Sequence, residues 1–168
     1  VSELDIRPEV IQLEKQLVDE LALRLEPVMP WGNTVPRTIK YRRPRAILPE
    51  NCPLLCVWVM RERIEPETNT RYATTVWLGA SWHEASVDSA ETLVMNEERA
   101  LSMMNAVSAI KGVAMRLGVS GWDVPGASEV WPTSVSWQGS MGNILDTGLV
   151  EGYAVEIQVR AKESGRDE

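Results

Sequence analysis

Six stretches of this chain carry a regular spacing of apolar side chains, and polar or proline-rich segments separate them. In RPEVIQLEKQLVDELALRLEP, Val10, Leu13, Leu17, Leu21 and Leu25 recur at three- and four-residue intervals, and Ile11, Val18 and Ala22 widen the stripe. That period predicts an amphipathic helix with Pro8 at a first helical position and Pro27 as its stop. LLCVWVMRERI instead has apolar residues on both alternating sets: Leu54, Cys56, Trp58 and Met60 on one, Leu55, Val57 and Val59 on the other. A central strand covered on both faces reads this way.

EPETNT is turn chemistry, and RYATTVWLGASWHEA is rich in β-branched and aromatic residues, so the two strands are expected to form a long hairpin with a polar tip. NEERALSMMNAVSAIKGVAMRLG predicts a second helix. Asn96 is its expected N-cap, Met103, Val107, Ile110, Ala114 and Leu117 its buried stripe, and Gly118 its C′ residue. EVWPTSVSWQ reads as a strand near an edge because of Pro132, with Trp131, Val135 and Trp137 on one face. LVEGYAVEIQVRA alternates, with Tyr153, Val155, Ile157 and Val159 inward and Glu156, Gln158 and Arg160 outward.

Between the first helix and the hairpin the texture changes. Residues 27–53 carry Pro27, Pro30, Pro36, Pro44, Pro49 and Pro53, which forbid a long helix and leave room only for a short strand near Thr38 to Tyr41. The expected order is helix, arm, hairpin, helix, strand, strand. It predicts one α+β domain over residues 1–168: a mainly antiparallel sheet of about four strands, two main helices packed on it, a long extended Pro-rich arm and a fraying tail at 162–168.

Composition sets limits on this picture. With 168 residues, 44% of them hydrophobic, the chain is long enough to bury one sizeable core. No apolar run reaches membrane-spanning length and the first residues lack a signal-peptide layout, so a soluble, intracellular chain without a membrane partner is expected. Cys52 and Cys56, if extended, sit roughly 13 Å apart, beyond disulfide reach, and are read as buried thiols.

The search for catalytic chemistry returns no residues. His83, the sole histidine, precedes Glu84, Asp88 and Glu91, but one histidine with scattered carboxylates has no recognisable metal-ligand spacing. It is expected at a solvated strand end. Ser120 lacks the flanking glycines of a nucleophile elbow, and Gly139, Gly142 and Gly148 lack the lysine of a phosphate loop. Neither catalytic residue, metal nor cofactor is therefore assigned.

The unusual features are elsewhere. The chain has seven tryptophans and no phenylalanine. Trp31 in the arm and Trp122 in a loop are candidates for intersubunit contact, since tryptophan is enriched at interface hot spots. The arm also gathers Arg37, Lys40, Arg42, Arg43 and Arg45 within a chain of formal net charge −7. Such a cluster can be a solvated loop, a nucleic-acid contact with Tyr41 as its stacking ring, or a device that reaches an acidic neighbour through arginine forks. An acidic body with a basic arm is self-complementary, which points towards assembly.

The leading helix, the long hairpin, the helix NEERALSMMNAVSAIKGVAMRLG and the final pair EVWPTSVSWQ and DTGLVEGYAVEIQVRA together resemble the tail terminator proteins of long-tailed bacteriophages. The resemblance spans most of the chain. It implies a non-enzymatic virion protein, made in the host cytoplasm, that forms a hexameric ring on the tail tube. Such a ring stops tube polymerisation, joins the head–tail connector or stopper protein, and lets DNA pass through its lumen without specific binding. In that setting Arg37, Lys40, Arg42, Arg43 and Arg45 would engage a neighbouring subunit or an acidic head-side ring. Glu65, Glu67 and Asn69, at the hairpin tip, would meet the tube or the next subunit. A connector or stopper ring is the nearest alternative, and a monomeric module whose basic arm binds nucleic acid is the alternative from another class.

Overall fold

The computed structural model describes residues 8–43, 45, 47–66, 72–85, 93–120, 129–136 and 150–163. Helix α1 runs Pro8–Leu25, with its proline at the first turn as expected, and passes into a 3₁₀ turn at Glu26–Val28. Leu13, Leu17, Val18, Leu21, Ala22 and Leu25 are buried, while Lys15–Asp19 and Arg24–Glu20 pair along its polar side at 2.9 Å each.

A short strand β1, Thr38–Lys40, precedes the hairpin of β2, Leu54–Pro66, and β3, Tyr72–Ala85. Helix α2, Leu93–Ser120, follows, then β4, Glu129–Ser136, and β5, Val150–Glu163. The strands form one sheet in the order β1-β2-β3-β5-β4, antiparallel throughout except that β1 lies parallel to β2. This is the expected α+β arrangement, with the short strand of the arm added as a fifth.

Both helices pack on one face. Leu55 and Val57 of β2, Val76, Leu78, Ala80 and Trp82 of β3, and Val155, Ile157 and Val159 of β5 meet the buried stripes of α1 and α2 there. Each fully buried aliphatic side chain contributes about 1.5–3 kcal/mol, so this layer dominates stability. The other face has its own small cluster, Leu54, Cys56 and Trp58, against Ile47 and Ala154. The doubly apolar pattern of LLCVWV thus has its two coverings, helices on one side and the arm on the other.

Two glycines seat rings on that second face. A Cβ at Gly79 would lie 2.5 Å from Cζ2 of Trp58, and one at Gly152 would lie 2.1 Å from Nδ1 of His83. Only a residue without a side chain lets the neighbouring ring lie flat on the sheet.

Three details differ from the sequence reading. Helix α2 begins at Leu93, so Asn96 lies inside it, and it continues through Gly118 to Ser120. Leucine and methionine favour continued helix, and one interior glycine costs only about 1 kcal/mol. The β4–β5 register shifts between Pro132 and Ser134, opposing Trp131 to Arg160 and Val135 to Ile157, positions on opposite faces of β5. The strict two-residue alternation expected along this strand is therefore interrupted in its backbone register. A second shift, between Val59 and Arg61, interrupts the β2–β3 ladder. The loop 137–149, with Trp137, and the tail beyond 163 lie outside the described residues.

Candidate assembly surface

The arm is held to the body at both ends of β1. The Leu55 N–H donates to the Arg37 carbonyl at 3.1 Å and the Tyr41 N–H to the Val57 carbonyl at 2.8 Å. Tyr41 then adopts φ 73°, a left-handed conformation that turns the chain out of the strand. Its hydroxyl donates a short hydrogen bond to Asp19 on α1, and Lys40 Nζ reaches the same carboxylate at 3.1 Å. Loss of solvent opposes ionisation of Asp19, but the hydrogen bonds from Tyr41, Lys15 and Lys40 outweigh it and hold its pKa down at about 2. Asp19 is therefore the anchor of the arm. Its partner Lys15 is one helical turn away, whereas Lys40 and Tyr41 lie more than twenty positions on, and the sequence reading found neither pairing.

The five basic residues divide into two sets. Arg37 Nη1 donates to the Glu50 carbonyl at 3.2 Å and to Asn51 Oδ1 at 3.4 Å, fastening the 3₁₀ turn Pro49–Asn51. Lys40 is occupied by Asp19, whose hydrogen bond raises the lysine pKa. Arg42, Arg43 and Arg45 are exposed, and no ion pair among the described residues involves them. So the cluster comprises two residues that shape the arm and three guanidinium groups left facing solvent.

Trp31 is not a surface anchor. It is buried, donates from Nε1 to the Glu26 carbonyl at 2.6 Å, and meets Trp82 edge to face with centroids 4.8 Å apart. The apolar floor made by α1 and β3 takes the ring inward, correcting the expected intersubunit role. Glu65 is exposed and ion-paired with Arg63, while Glu67, Asn69 and Trp122 lie outside the described residues.

His83 also differs from expectation: it is fully buried rather than at a solvated strand end. Ser81 Oγ lies 2.8 Å from its Nε2, and Nδ1 has no partner among the described residues. Burial holds the imidazole neutral, with its pKa down at about 4. Glu84 accepts from Trp82 Nε1 at 2.9 Å and Ser102 Oγ at 2.7 Å, tying β3 to α2. Asp88 and Glu91 lie outside the described residues, and among those described no group of three or more metal-ligating side chains converges. Burial pushes the Cys56 thiol up to about 12, which leaves it protonated and unreactive; Cys52 is only half-buried, short of the burial expected for both thiols, and neither cysteine is in a disulfide.

Two contacts on β2 escaped the sequence reading. The Arg61 guanidinium stacks 4.2 Å from the Trp77 ring centroid. Glu14 of α1 is half-buried and hydrogen-bonded to Glu62; desolvation first, then the neighbouring carboxylate, raise its pKa to about 8. Like-charged residues from distant segments give no signal in sequence until the fold brings them together.

No protein-family model matches the chain, and no curated protein matches it. Among solved structures it is similar to a chain of one described as the virion of a native gene transfer agent particle, with 13% identity and a TM-score of 0.42 over 94% of this chain and 92% of that one. No helix among the described residues is long and apolar enough to cross a membrane.

Proposed function

We propose that this chain is a structural subunit that assembles through its arm, and specifically a tail terminator: a ring, six-fold as in the family its element order resembles, that caps a tail tube and joins it to the head connector. The observation that carries the reading is the exposed trio Arg42, Arg43 and Arg45 in a chain of formal net charge −7, held at a fixed place by the Tyr41–Asp19 anchor. Copies of such a molecule attract one another, basic arm to acidic body, and arginine forks grip carboxylates in two-point fashion. The ring has no catalytic role in this reading, and a net acidic lumen lets DNA slide without adhering.

The test is charge reversal away from the anchor. Arg42→Glu with Arg43→Glu is expected to reduce self-association at least tenfold in sedimentation while leaving the thermal midpoint unchanged, because both side chains are exposed. Unchanged association would sink the reading. Retention of DNA that weakens steeply with salt, in a chain that stays monomeric, would favour the nucleic-acid module instead.

A further inference from the structure

The outer edge of β2 is occupied by β1 only at Leu55–Val57. From Val59 to Pro66 no described segment pairs with it on that side, although the same residues pair with β3 from Val59↔Leu78 to Pro66↔Tyr72. An open edge of this length is a template for another strand. Its backbone polarity follows from the contacts already given. Leu55 N–H and Val57 C=O point outward to β1, and the one-residue shift at Met60 moves the outward set to Glu62, Ile64 and Pro66.

Side chains along this edge are exposed, including Ile64, and alternate in charge as Arg61, Glu62, Arg63, Ile64, Glu65. We infer that the β2 edge pairs antiparallel with the same edge of a second copy, with Ile64 on the two-fold axis. In that register Ile64 of each copy exchanges N–H···O=C bonds with Ile64 of the other. Glu62 N–H donates to the Pro66 carbonyl of the second copy, and the reciprocal bond completes a set of four. Arg63 stands opposite Glu65 of the second copy, and Glu65 opposite Arg63. The two residues already share one face, as their ion pair within the strand shows.

Moving the axis by one residue puts Arg63 opposite itself, so charge selects this register. The irregularity at Met60 and the missing N–H of Pro66 bracket the window and stop the pairing from spreading. A contact this small is weak and concentration-dependent. The inference does not rest on the tail reading: it concerns the free hairpin edge, not the basic arm.

Two single variants make it testable, both at exposed positions. Arg63→Glu presents glutamate at both positions and Glu65→Arg presents arginine at both, so each opposes like charges across the axis. A mixture of the two restores opposite charges at both pairs. In neither variant is the ion pair within the strand intact, so recovery on mixing reports only contact between chains. Tagged Arg63→Glu protein is expected to capture Glu65→Arg protein about tenfold better than it captures untagged Arg63→Glu protein, with circular dichroism of both variants matching the parent. Equal capture of the two, or capture of neither, would overturn the inference.

Discussion

At the residue scale, three titrating side chains pull stability in different directions with pH. The His83 pKa is depressed to about 4, so between that value and 6.5 the unfolded chain binds more protons than the folded one. Stability therefore falls as pH drops through this window. The Glu14 pKa is raised to about 8, so between its ordinary 4.5 and 8 the folded chain holds the extra proton and stability falls as pH rises. Asp19, held at about 2, contributes above its ordinary 3.8 and loses that contribution only as pH falls towards 2. Urea unfolding across pH is expected to show Glu14→Gln removing the decline on the alkaline side; a decline that persists in this variant would contradict the shared proton with Glu62. Gly152→Ala sets a methyl against the His83 ring and is expected to cost about 1–3 kcal/mol, read from the urea midpoint. A neutral effect would mean that the ring has room to move.

At the element scale, the helices and long strands were legible because their apolar periods extend over many residues. Helix α1 was placed correctly by Pro8 and its leucine stripe, and β5 by the alternation of Val155, Ile157 and Val159, although Glu156, expected outward, is buried. What remained hidden depends on partners distant in sequence. The shifts at Met60 and between Pro132 and Ser134 are settled by the neighbouring strand, not by the residues themselves. Burial of His83 required the opposite glycine, Gly152, on another strand. Trp31 carries no local mark of an interior residue, since its cover comes from α1 and Trp82. Trp31→Ala is expected to cost about 3–5 kcal/mol, far beyond what a surface anchor would show in the isolated chain. Freeing the arm should cost much less: Asp19→Ala removes the acceptor for Tyr41 and Lys40. Limited proteolysis should then cut faster near Arg42–Arg45 while helical content is retained, and an unchanged cleavage rate would deny Asp19 its anchoring role.

For the whole molecule, the two proposals place adhesion at two separate sites. One is the arginine trio on the anchored arm; the other is the open β2 edge of the hairpin. They make different demands on symmetry, since a strand paired with its own copy closes a dimer, whereas a basic arm on an acidic neighbour propagates head to tail and closes only as a ring. The measurement that tests the central claim most directly is mass in solution by light scattering over a concentration range, with negative-stain images of the heaviest species. The account expects closed rings whose mass is a multiple of 18.8 kDa greater than two, lost on reversing Arg42 and Arg43. A chain that never exceeds a dimer at any concentration would contradict assembly through the arm.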